Sequence, residues 1–152
     1  MPRDWTIDTW VLYRAGGYDM PALELLHRIL RKNNYLLLDH EENIEKEYRK
    51  CFNFYRNVSP QACKALEKWF ADIISKAVKY FSGILEDRHE RALTKRRFDR
   101  DDWAFVAVCA RGNDKILVSE ESDYSPEVCE YLKTNMGVSV IAIIAALEVS
   151  DT

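Results

Sequence analysis

The chain has 152 residues, and 22 Lys+Arg against 25 Asp+Glu give a formal charge of −3 at pH 7. Hydrophobic residues make up 47% and charged residues 31%, which excludes a disordered or fibrous chain, and the length fits a single domain spanning 1–152. So small a net charge also excludes a protein that coats nucleic acid by bulk electrostatics, so a polyanion must be met by a local patch.

The cysteines at 51, 63, 109 and 129 form no CxxC pair and have no His in ligand register, which argues against zinc and for buried thiols. MPRDWTID lacks the apolar core of about 7–15 residues that a secretory signal needs. The apolar run VSVIAIIAAL covers only ten residues, against the roughly 20 of a membrane helix. These readings lead us to expect a reduced, cytoplasmic protein with no membrane partner.

In chain order, WTID reads as a short buried strand with a carboxylate, Asp8, at its C-terminal tip. After a loop around Gly16, Gly17 and Asp19, Pro21 opens an amphipathic helix with Leu23, Leu26, Ile29 and Leu30 on one face. Tyr35–Leu38 is a second strand, followed by a polar helix whose stripe is Ile44, Tyr48, Cys51, Phe52 and Tyr55. Ser59-Pro60 starts a long helix whose apolar period runs from Leu66 to Phe81 before Gly83 interrupts it. From Arg88 to Arg100 the chain carries its one basic segment.

DRDDWAFVAVCARG is acidic and then apolar on every side, which predicts a fully buried helix stopped by Gly112. Lys115–Ser119 is a third strand that ends in Glu120, Glu121 and Asp123. Ser125-Pro126 starts a helix that stops at Gly137, and VSVIAII supplies a fourth strand. Short apolar strands alternating with helices imply an α/β protein: a three-layer α/β/α sandwich around a mostly parallel sheet of four to five strands.

In such sheets, sites form at the C-terminal strand ends. Asp8, the Asp99–Asp102 segment and the Glu121–Asp123 segment all deliver acids to that edge. Grouped carboxylates repel unless a cation offsets them, and an all-oxygen set suits Mg²⁺ or Mn²⁺.

These residues resemble the PIN-domain family, a small nuclease fold found in bacterial toxins and RNA-processing enzymes. The resemblance rests on Ile7-Asp8-Thr9, Glu47-Tyr48, Asp99-Arg-Asp-Asp102 before WAFVAVCA, and Val118-Ser119-Glu120-Glu121 with Asp123, in family order over nearly the whole chain. It implies metal-dependent hydrolysis of RNA phosphodiester bonds, with Asp8, Glu47, Asp102 and Glu121 catalytic. The implied ligands of Mg²⁺ or Mn²⁺ are Asp8, Asp102, Glu121 and Asp123, and Ser119, Arg96, Arg97 and Arg100 would face the substrate. An antitoxin or other protein partner and a homodimer are further implications. Two positions depart from the pattern: Trp10 stands where an Asn is usual, and Glu121 where an Asp is usual. These departures motivate the alternative, a PIN-like scaffold that binds or assembles with weak or no catalysis. Read without the resemblance, Asp99–Asp102 is a helix cap, Glu47 a solvated face residue and the basic segment a solvated connection.

Overall fold

The computed structural model describes residues 3–31 and 33–151. Five short strands, β1 (Asp4–Ile7), β2 (Tyr35–Asp39), β3 (Val78–Phe81), β4 (Ile116–Val118) and β5 (Ser139–Ile141), form one parallel sheet in the order β3-β2-β1-β4-β5. The helices are α1 (Thr9–Gly16), α2 (Met20–Arg31), α3 (Asn43–Val58), α4 (Pro60–Lys76), α5 (Asp87–Lys95), α6 (Trp103–Arg111), α7 (Pro126–Met136) and α8 (Ile143–Ser150), and a 3-10 turn at Arg100–Asp102 leads into α6. The expected α/β architecture and parallel sheet are therefore present, with five strands.

Parallel strands need right-handed crossovers. From β1 the chain steps outward through β2 to β3, which puts α1–α4 on one face, where they pack on one another. It then returns past β1 to β4 and β5, which puts α6 against β1, β2, β3 and β4 on the opposite face. The direction reverses between β1 and β4, so this pair is the topological switch point, where crossovers diverge and leave a crevice at the strand ends.

Helix boundaries follow local chemistry. Ser59 accepts a hydrogen bond from the Ala62 N–H at 3.4 Å and Ser125 accepts one from Val128 at 3.2 Å, each ahead of a proline in the first turn. Gly137 ends α7 with φ of 70°, the left-handed conformation that glycine takes without strain. Residues Ala104–Cys109 of α6 are all buried, as their apolar character on every side requires.

Four expectations are corrected. The long helix stops at Lys76, and Val78–Phe81 is not its last turn but the edge strand β3, paired with β2 through Leu36–Val78 to Asp39–Phe81. VSVIAII is strand only over Ser139–Ile141, and Ile143 onward forms α8, packed on α2. The loop expected around Gly16, Gly17 and Asp19 begins only after Gly16, the last residue of α1, and the basic segment, read from its residues alone as a solvated connection, contains most of α5. The third strand is shorter than Lys115–Ser119, and Ser119 lies just past its end.

Asp39, at the tip of β2, is buried and accepts backbone hydrogen bonds from Asn43 and Ile44, each at 2.9 Å, anchoring the start of α3. Gly83 approaches so closely that a Cβ there would stand 2.7 Å from the Cβ of Asp39. Asp39→Ala removes both acceptors and is expected to cost about 1–2 kcal/mol in urea unfolding. An unchanged midpoint would show that α3 does not depend on this anchor.

Candidate metal centre

Asp8 follows β1 directly and is 3% exposed. Its backbone N–H donates to Val118 O on β4, and its Oδ2 accepts the Ser119 hydroxyl at 2.7 Å. The Ser119 Oγ in turn accepts the Glu121 N–H at 3.1 Å, so one hydroxyl links the two acidic segments across the switch point. Burial pushes the Asp8 carboxyl up to about 6; the Ser119 hydrogen bond opposes this and the Glu121 charge adds to it.

A third segment arrives from the other face of the sheet. Asp99 caps the 3-10 turn by accepting the Asp101 N–H at 2.9 Å, and the turn presents Asp102 to the same crevice. Carboxylate oxygens of Asp99, Asp102 and Asp123 all lie within 4.8 Å of one another, a group that could hold a metal ion. Ligand oxygens on opposite sides of a hard divalent ion stand about 4–5 Å apart, so a small contraction suffices. Burial pushes the Asp102 carboxyl up to about 8, with the charges of Asp8, Asp123, Asp99 and Glu121 acting in the same direction. Glu121 is also raised, first by burial, and its Oε2 accepts the Asp123 N–H at 3.0 Å.

None of these five carboxylates forms an ion pair among the described residues. The buried acid at the opposite end of the sheet behaves differently: Asp4 is met by the Lys79 ammonium at 2.8 Å and by the Asn113 N–H at 2.8 Å. Neutralisation from within is thus available to this fold, and the C-terminal edge is left without it. Tyr124 adds a further open valence. It is 8% exposed, its hydroxyl has no hydrogen-bond partner among the described residues, and burial together with the charges of Asp8, Asp102 and Glu121 holds that phenol in its protonated, donating form.

The other expected residues lie elsewhere or act differently. Glu47 faces a neighbouring groove, where Lys50 holds it at 2.8 Å, and Asp101 lines the same groove. The Tyr48 hydroxyl beside it donates to Ile7 O at 2.6 Å and fastens α3 to β1. Ser119 is spent within the protein on Asp8 and Glu121. Arg96 lies over the Tyr131 ring and donates to Ala92 O at 2.8 Å, Arg97 is exposed with φ of 59°, and Arg100 lies over Trp103. Asp99 enters the cation-capable group although its cap position alone explains its residue type, and Tyr124 carried no signal in the sequence.

The raised carboxyls set a pH dependence. In the unfolded chain both titrate near 3.8, and in the fold near 6 and 8, so the native state holds the protons more tightly. Their stabilising contribution is complete below pH 4 and disappears as pH rises through 6 and then 8. In EDTA the melting temperature should fall by about 5–10 °C between pH 5 and pH 8.5. Mn²⁺ should restore more of it at pH 8.5 than at pH 5, because ligation requires the deprotonated acids. A flat profile that Mn²⁺ leaves unmoved would contradict a shared carboxylate site.

The chain matches no protein-family model, no curated protein and no solved structure.

Proposed function

We propose that this protein is a divalent-cation-dependent phosphodiesterase acting on RNA, an endoribonuclease of PIN-like organisation. The observation that carries the reading is the convergence of acids from three chain segments, unpaired, at the switch point of the sheet. Asp99, Asp102 and Asp123 would hold Mg²⁺ or Mn²⁺, with Asp8 and Glu121 beside them. A cation held there would supply a nucleophilic water at neutral pH and neutralise charge on the phosphoryl oxygens.

The chain's own residues have separable tasks. Ser119 orients Asp8 through the 2.7 Å hydrogen bond and ties the Glu121 backbone to it, so both acids are fixed before any ligand arrives. Burial and the surrounding acids raise the proton affinity of Asp102, so cation binding there would compete with protonation. The Tyr124 hydroxyl, buried within electrostatic reach of Asp8, Asp102 and Glu121, holds a donor that the described residues leave unused. A role as the toxin of a toxin–antitoxin pair is compatible with this chemistry and would add a protein partner.

A second reading, a cation-held binding module without hydrolysis, is favoured by one observation. Glu47, the acid the family resemblance makes catalytic, is paired with Lys50 in the adjoining groove.

Purified protein with Mn²⁺ and end-labelled RNA should give cleavage that EDTA abolishes and that falls at least about 100-fold in Asp8→Asn and in Asp102→Asn. Equal cleavage in both variants would refute the nuclease reading. Calorimetric Mn²⁺ binding that the variants lose, with no cleavage by the wild type, would establish the binding module instead.

A further inference from the structure

We infer that Trp10 and Trp103 are base-stacking platforms on either side of the acidic crevice, each receiving an unstacked base of a single nucleic-acid strand. The inference rests on the reading of the crevice as a site that acts on such a strand. Trp10 stands two residues after Asp8 and Trp103 directly after Asp102, so the two acid-bearing segments each deliver a ring. Both rings are half-buried and packed on the hydrophobic core along part of their surface, which holds them in place before a ligand arrives. Both are covered by a guanidinium, Arg14 at 5.3 Å from the Trp10 ring and Arg100 at 5.4 Å from that of Trp103.

The topology places them on opposite flanks. Trp103 and Arg100 line a groove of about 410 Å³ together with Gly83, which follows β3, and Asn43 and Lys46 at the start of α3, which follows β2. Trp10 and Arg14 line a groove of about 270 Å³ with Glu120, which follows β4, and Ile143, which follows β5. In the order β3-β2-β1-β4-β5 the acids occupy the ends of β1 and β4, so the carboxylates lie between the two grooves.

The lining chemistry favours bases over backbone. In the Trp103 groove Lys46, Lys50 and Arg100 are balanced by Glu47, Glu90 and Asp101. In the Trp10 groove Arg14 faces Asp19, at 3.7 Å, and Glu120. Neither groove carries a surplus of positive charge to hold a phosphate, whereas an aromatic ring and the guanidinium plane lying over it both stack on any base, and carboxylates accept from exocyclic amines. A duplex keeps its bases stacked internally and cannot use either platform.

The test is binding of a fluorescein-labelled, phosphorothioate-protected 10-nucleotide single strand in Mg²⁺, read by anisotropy. Trp10→Leu and Trp103→Leu should each weaken it roughly 5- to 100-fold, with Trp10→Phe and Trp103→Phe retaining most of the affinity. The matching duplex should bind more weakly than the single strand and be indifferent to all four substitutions. Folded Leu variants that bind the single strand as the wild type does, or Phe variants as weak as the Leu ones, would overturn the inference. Cleavage by the wild type that persists while the Leu variants bind normally would sink the platforms alone. Trp-dependent binding without any cleavage would sink the nuclease reading and leave the platforms standing.

Discussion

The site depends on one hydrogen bond, from the Ser119 hydroxyl to the Asp8 carboxylate, between residues 111 positions apart in the chain. It exists because β1 and β4 lie side by side and parallel, with Ile7 opposite Val118, so the residue after each strand emerges at the same level. From that contact α1 begins at Thr9, the Glu121 N–H is held on the shared Oγ, and the third acidic segment meets two carboxylates already in place. A carboxylate so deeply buried is costly unless hydrogen-bonded, and the hydroxyl offsets only part of that cost. The remainder appears as the raised affinity for protons at Asp8 and, more strongly, at Asp102.

The two ends of the sheet treat buried charge in opposite ways. At the N-terminal end Asp4 is neutralised by Lys79, which reaches it from β3, and its own N–H donates to Asp114 at 2.7 Å. That end is electrostatically closed. At the C-terminal end five carboxylates stand without a basic partner among the described residues, and the nearby cations Lys50, Arg14 and Arg100 are engaged with Glu47, Trp10 and Trp103. Such an arrangement leaves the negative charge of this edge without compensation from the described residues.

Much of the fold was legible because its signals are local. Ser59-Pro60, Ser125-Pro126, Gly112 and Gly137 marked helix ends through caps and turn conformations that need no distant partner. The uniform apolarity of Ala104–Cys109 marked a buried helix. What went unread depended on pairing. Val78 and Phe81 continue the apolar spacing of α4, and only the ladder to Leu36–Asp39 turns them into a strand. Ile143 and Ile144 extend the apolar run of β5, but α2 offers a helix-packing face there and the chain turns to use it. Short helices such as α1 and α5 carry too few turns for a clear period.

By itself the sequence determined that acids stand at the ends of apolar strands and at the entry to a buried helix, since strand, cap and periodicity are written within a few neighbouring residues. The tertiary structure alone decided which of them share a site. It brought Asp99 in with Asp102 and Asp123, turned Asp101 and Glu47 into the adjoining groove, buried Tyr124 within electrostatic reach of the carboxylates and placed Trp10 and Trp103 on opposite flanks. The physical reason is that proximity among these groups follows from strand order and crossover hand, which join segments as distant in the chain as those of Asp8 and Asp123 and which no local pattern relates.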